Sequence, residues 1–239
     1  MKHIFAFEKI EDEETIEEEM IKEYCKSNIS EIIYVTEPPK DSIPVGSVDW
    51  CEKVYGKRIP NYYPSFLKDY LHRNIWKCKY NSIINNEEPI FIKPCDEYKT
   101  WNGFIFEKGK QHHPIKDNEN IMCSDVVHFI NEWRYYIVNG QVLESAWYDG
   151  DISDADVLRG LVPPTPTLPH NLLLKLEEYN YSGVIDMGSI IKDEQSELAL
   201  VDSCHPYAIG WYLESDSYKN YVKFLIESDL YLKNDRIIK

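Results

Sequence analysis

The pattern of apolar and polar positions through His3 to Phe7 alternates towards a strand, and Ile32-Ile-Tyr-Val-Thr36 reads as a second strand. Between them Ile16, Met20, Ile21 and Tyr24 recur at helical spacing, so the chain opens as a strand–helix–strand unit. The acidic run Glu11-Asp-Glu-Glu14 stands ahead of that helix, where negative charge complements the positive end of the helix dipole. Pro38-Pro39 marks a turn, and Pro64 suits the first turn of a short helix within 62–70. Residues 81–88 are polar and turn-rich, which divides the chain into an N-terminal α/β region, 1–82, and a second region, 83–239.

The second region is dominated by strands. Pro89-Ile-Phe-Ile-Lys93 and Phe104-Ile-Phe106 read as buried strands around a polar loop, and 108–120 as a charged loop with no apolar period. Val126-Val-His-Phe-Ile130 reads as a further strand. Arg134-Tyr-Tyr-Ile-Val138 and Gln141-Val-Leu-Glu-Ser-Ala-Trp147 flank Asn139-Gly140, the signature of a two-residue hairpin with positive φ at both turn positions. A proline-rich connector, 163–169, leads to a helix over 172–179. A second hairpin pairs 183–191 with 198–202 across Lys192-Asp-Glu-Gln195, and a last helix carries Tyr218, Tyr221, Val222 and Leu225 on one face.

Composition narrows the class. At 239 residues, 43% hydrophobic and 13% aromatic, the chain is globular and large enough for one large domain or two small ones. A net charge of −15 argues against generic binding to nucleic acid or anionic membranes, which would repel it, and leaves room for a local basic site. No apolar run approaches the roughly 20 residues of a membrane span, and the start lacks the features of a signal peptide. Cys25, Cys51, Cys78, Cys95, Cys123 and Cys204 are scattered without Cys-x-x-Cys spacing, the pattern of reduced thiols in a cytoplasmic protein without structural zinc.

Against that acidic background, Lys93 at a strand end, Lys99 in the following loop and Gly103 suit a polyphosphate, although solvated surface lysines give the same pattern. Glu132 and Arg134, two apart on one strand, share a face, either as a structural ion pair or with Arg134 directed at a phosphate or carboxylate. Asp186 and Asp202 interrupt apolar strands that are antiparallel partners, so each needs a hydrogen-bond partner or a shared hard cation such as magnesium. Cys204 and His205 lack an oxyanion site, which argues against a thiol nucleophile.

Taken in order, these motifs resemble the ATP-grasp superfamily, and within it the small phage and bacterial clade characterised by one arginine and two lysines. The residues that carry the resemblance are Phe91-Ile-Lys-Pro94, Lys99-Thr-Trp-Asn-Gly103, Glu132-Trp-Arg-Tyr-Tyr136, Val184-Ile-Asp186 and Val201-Asp202 through Ala208-Ile-Gly-Trp-Tyr212. The resemblance implies an α+β fold that holds ATP between two α+β subdomains, after a small N-terminal α/β unit. It implies that Lys93 and Lys99 contact phosphates beside Gly103, that 122–125 is a hinge carrying adenine, and that Asp125 or Glu132 reaches the ribose. Asp186 and Asp202 then hold Mg2+, and Arg134 steadies the transferring phosphate or the acyl phosphate, with Arg73 its rival for the clade's arginine. The implied activity is ATP-dependent ligation of a small-molecule or peptide carboxylate to an amine through an acyl phosphate. A nucleotide- or partner-binding module without turnover, and a small-molecule kinase, stay open beside it. Where the family carries Glu-x-Asn as metal ligands, this chain carries Asp202-Ser-Cys204.

Overall fold

The computed structural model describes residues 2–9, 15–110 and 114–235. The acidic run 11–14 lies outside the described residues. Strand β1 (Ile4–Glu8), helix α1 (Ile16–Ser27) and strands β2 (Glu31–Val35) and β3 (Ile43–Val45) form the expected N-terminal unit, with β2 and β3 each parallel to β1. Parallel neighbours require a crossover, and α1 supplies it between β1 and β2. Its start is fixed by Thr15, whose hydroxyl accepts the Glu18 N–H at 3.2 Å. Helix α2 (Val48–Tyr55) follows, capped by Ser47 on the Trp50 N–H at 3.3 Å. A 3-10 helix, Ser65–Tyr70, begins directly after Pro64.

Two antiparallel four-stranded sheets follow. The first contains β4 (Ile75–Lys79), β5 (Ile90–Pro94), β6 (Phe104–Phe106) and β7 (Asn120–Asp125), in the order β4-β7-β5-β6. The line drawn at 82/83 falls between β4 and β5, so this one sheet draws on both sides of it. The second contains β8 (Asn131–Val138), β9 (Gln141–Gly150), β10 (Gly183–Lys192) and β11 (Gln195–Cys204), in the order β11-β10-β8-β9. The strand expected at 126–130 is instead the connection between the sheets. It leaves β7 in one sheet and enters β8 in the other, so it pairs along its length with neither; only Ile130 bonds, to Ser189 O and Asp151 N.

Helix α3 (Asp154–Leu158) is short, and α4 (His170–Glu178) packs Leu172 and Leu176 under the second sheet against Trp133, Tyr135, Ile185 and Met187. The Asn139-Gly140 turn has φ of 49° and 78°, as the hairpin signature requires. Helix α5 (Tyr218–Asp235) places Tyr221, Val222 and Phe224 between Phe5, Met20 and Ile21 of the N-terminal unit and Tyr136 of β8. The first and last parts of the chain therefore share one core.

Candidate functional site

Where β10 pairs with β11, Asp186 lies opposite Asp202, while the next residue, Met187, lies opposite Leu200. Val201 is thus an extra residue in the ladder, a β-bulge. Strict alternation would put Asp202 on the same face as Leu200, which packs in the apolar core over α4. The bulge instead turns Asp202 to the face of Asp186. Arg73 supports it: its guanidinium donates to Leu200 O at 2.6 Å and Val201 O at 2.9 Å. The same guanidinium lies 5.4 Å from the ring centroids of both Tyr63 and Phe129.

A cavity of about 510 Å³ opens here between the two antiparallel sheets. Phe91, Lys93, Gly103 and Ile105 line it from the first sheet, and Glu132, Val201 and Asp202 from the second. Asp125, Val126 and Phe129 line it from the end of β7 and the connection that follows, and Arg73 and Tyr63 also line it. A Cβ at Gly103 would meet the Phe91 ring at 2.6 Å, so a larger residue would displace that aromatic wall.

Lys93 is 6% exposed, and its ammonium lies 2.9 Å from Asp202 and 3.6 Å above the Tyr62 ring centroid. Burial acts to lower its pKa, but Asp202 and Tyr63 together outweigh it, raise the pKa and hold the lysine charged. Burial first, then the nearby Asp186 charge, push the Asp202 carboxyl up, with Lys93 pulling against them. Arg134 grips Asp186 with both fork positions, Nε to Oδ1 at 2.8 Å and Nη2 to Oδ2 at 2.7 Å. Its guanidinium carbon lies 5.3 Å from the Tyr148 ring and 5.0 Å from the Tyr212 ring, which stack on each other. Tyr148 also donates its hydroxyl to Glu132, whose pKa burial raises although that bond opposes it.

Lys93, Gly103, Asp125, Glu132 and Asp202 meet at the cavity, whereas Lys99, Arg134 and Asp186 are not among its lining. Lys99 stands in the loop after β5 with φ of 53° and donates to Ala208 O at 3.4 Å. Asp125 is held by Asn74, through its N–H at 3.0 Å and its side-chain amide at 2.7 Å. Of 122–125, Met122 and Cys123 are buried within β7, and the connection between sheets is the segment after it. Sequence reasoning missed Tyr62, Tyr63, Phe129 and Tyr148. Aromatic residues in a chain this rich in them carry no local signal; the pairing of sheets assembles them.

Among the described residues no group of three or more His, Cys, Asp or Glu side chains is arranged to hold a metal ion. Asp186 and Asp202, opposite one another on β10 and β11, offer hard oxygen donors, each paired with a cation, and such a pair fits magnesium when phosphate oxygens and water complete the shell. Cys204 does not fit that set. Burial first, and Asp202 next, push its thiol far above the usual range, so it stays protonated and is neither a ligand for a hard cation nor a ready nucleophile.

Two sheets closing on a cavity with a buried lysine and paired carboxylates define an ATP-grasp fold, and solved structures agree. D-alanine–D-alanine ligase from Bacillus anthracis superposes with a TM-score of 0.52 at 10% identity, covering 99% of both chains. The same ligase complexed with ATP gives 0.50 at 11% identity, again over 99% of both. A RimK domain protein ATP-grasp from Sphaerobacter thermophilus gives 0.50 at 10% identity, over 95% of this chain and 97% of that one. At these identities the likeness is one of fold. The sequence itself gives the family: residues 70–223 match the ATP-grasp domain of R2K clade family 2, and the chain belongs to that family. No curated protein matches it in sequence.

Proposed function

We propose that the protein is an ATP-dependent ligase joining a carboxylate to an amine. The observation that carries this is the cavity between the two sheets, with the Lys93–Asp202 pair in its lining. ATP enters with its base against Phe91 and Phe129, and its phosphates draw Lys93 from Asp202. Arg73 is better placed than Arg134 to meet an oxyanion: it lines the cavity and has no carboxylate partner among the described residues, whereas Arg134 is occupied by Asp186.

A carboxylate oxygen of one substrate attacks the γ-phosphorus, and ADP leaves. The amine of the second substrate attacks the acyl carbon of the resulting acyl phosphate, inorganic phosphate leaves, and the nitrogen loses its proton. The chain's residues contribute position and charge rather than covalent chemistry. Asp186 and Asp202 are the residues that would hold Mg2+, which when bound neutralises phosphate charge. Substrates are small molecules or peptides, and the unpaired cysteines suit a reducing cytoplasm. Among the described residues no helix is long and apolar enough to cross a membrane.

A second reading, nucleotide binding without turnover, is favoured by one feature: Cys204, whose thiol pKa is raised by burial, stands where the resemblance implies a metal-binding Asn. Incubation with ATP, magnesium and a panel of carboxylates and amines distinguishes the two. Phosphate release that requires both substrates supports the ligase. ATP binding with no phosphate release under any pairing supports the module, and ADP with a phosphorylated product supports a kinase.

A further inference from the structure

We propose that Cys78 and Cys123 are a site of reversible oxidation, closing under peroxide into a disulfide that staples β4 to β7. In the ladder Cys78 lies opposite Ile121, and Trp76 opposite Cys123, so the two cysteines are diagonal neighbours on one face of the sheet. Their Sγ atoms are 3.4 Å apart, in direct contact, and both thiols are free. Cys78 is partly exposed and Cys123 is fully buried. Oxidant therefore reaches Cys78 first. Burial, then the Cys78 contact, push the Cys123 thiol up, so Cys123 acts as the resolving thiol only as it gives up its proton in the same step.

The chemistry balances in two steps. Hydrogen peroxide oxidises the Cys78 thiol to a sulfenic acid and leaves as water. The Cys123 sulfur attacks the Cys78 sulfur, the S–O bond breaks, and the departing hydroxide takes the Cys123 proton as a second water. Two thiols lose two electrons to one peroxide. A disulfide needs the sulfurs at about 2.05 Å and closer Cβ atoms than an unstrained diagonal pair provides. The bond is therefore strained, which makes it readily reduced again by a small thiol. The staple lies near the proposed nucleotide site, because Cys123 pairs with Ile92, the residue before Lys93. Oxidation of the pair does not depend on what the cavity binds.

The test is peptide mapping of the folded, full-length protein after hydrogen peroxide, with iodoacetamide trapping of the remaining thiols. The expected result is loss of two of the six thiols, a Cys78–Cys123 linked peptide, and full reversal by dithiothreitol. The link disappears in Cys78→Ser and persists in Cys95→Ser, which removes another buried thiol. The same treatment in urea should lose that selectivity, since the fold brings the pair together. A folded protein that retains six thiols, or whose Cys78 ends as an irreversible sulfinic acid without a linked peptide, would overturn the proposal. So would equal selectivity in urea.

Discussion

Arg134 and Asp186 form a nearly dry ion pair, with side chains 13% and 6% exposed, and losing one partner leaves the other charged without compensation. Arg134→Met is expected to cost about 3–5 kcal/mol in urea unfolding, and Arg134→Met combined with Asp186→Leu to recover most of it. Arg73→Met removes the donors to Leu200 O and Val201 O, and should cost about 1–3 kcal/mol while loosening the bulge that aims Asp202. Glu132 gives a pH dependence. Its folded pKa is raised, chiefly by burial, so the stability it contributes is full below the unfolded value and is lost as pH rises through the folded one. Glu132→Gln should therefore raise Tm relative to the parent at neutral pH, with the gain fading below about pH 4. A gain that grew on acidification would contradict this. At this scale Lys93 at a strand end, Glu132 near Arg134 and Asp202 in an apolar strand were legible in the sequence as candidates. Their partners were not: Lys93 meets Asp202 and Tyr62 only across distant segments.

Among elements, the Asn139-Gly140 hairpin was readable because its turn chemistry is local. Gly140 has a second role that only the structure reveals, since a Cβ there would meet the Glu177 Cα of α4 at 2.6 Å. Gly140→Ala combines that clash with a φ of 78° and should cost more than about 1 kcal/mol by chemical denaturation. The β10–β11 pairing was readable too, but the bulge at Val201 was not. Period-two reading assumes an uninterrupted ladder, and that assumption would send Asp202 into the core. The segment 126–130 failed for a related reason. Its apolar content is that of a strand, but its path between sheets leaves it without a partner, and Phe129 packs over Arg73 instead.

For the whole molecule, the α+β character and the order of motifs were visible in the sequence, whereas the packing of α5 was not. An amphipathic helix announces an apolar face and not the surface that covers it. Here Phe224 and Tyr221 join the N-terminal unit to β8, so Phe224→Ala should cost about 3–5 kcal/mol and unfold the chain in a single transition. Two transitions would contradict a shared core. On the proposed reading the cavity between the sheets binds ATP through Lys93. Calorimetric titration of ATP with magnesium into the parent protein and Lys93→Ala tests it most directly. A charge-assisted contact of about 1.5–3 kcal/mol predicts affinity roughly 10- to 100-fold weaker in a variant that keeps its circular dichroism spectrum. Equal affinity in the two folded proteins, or no heat of binding in the parent, would contradict it.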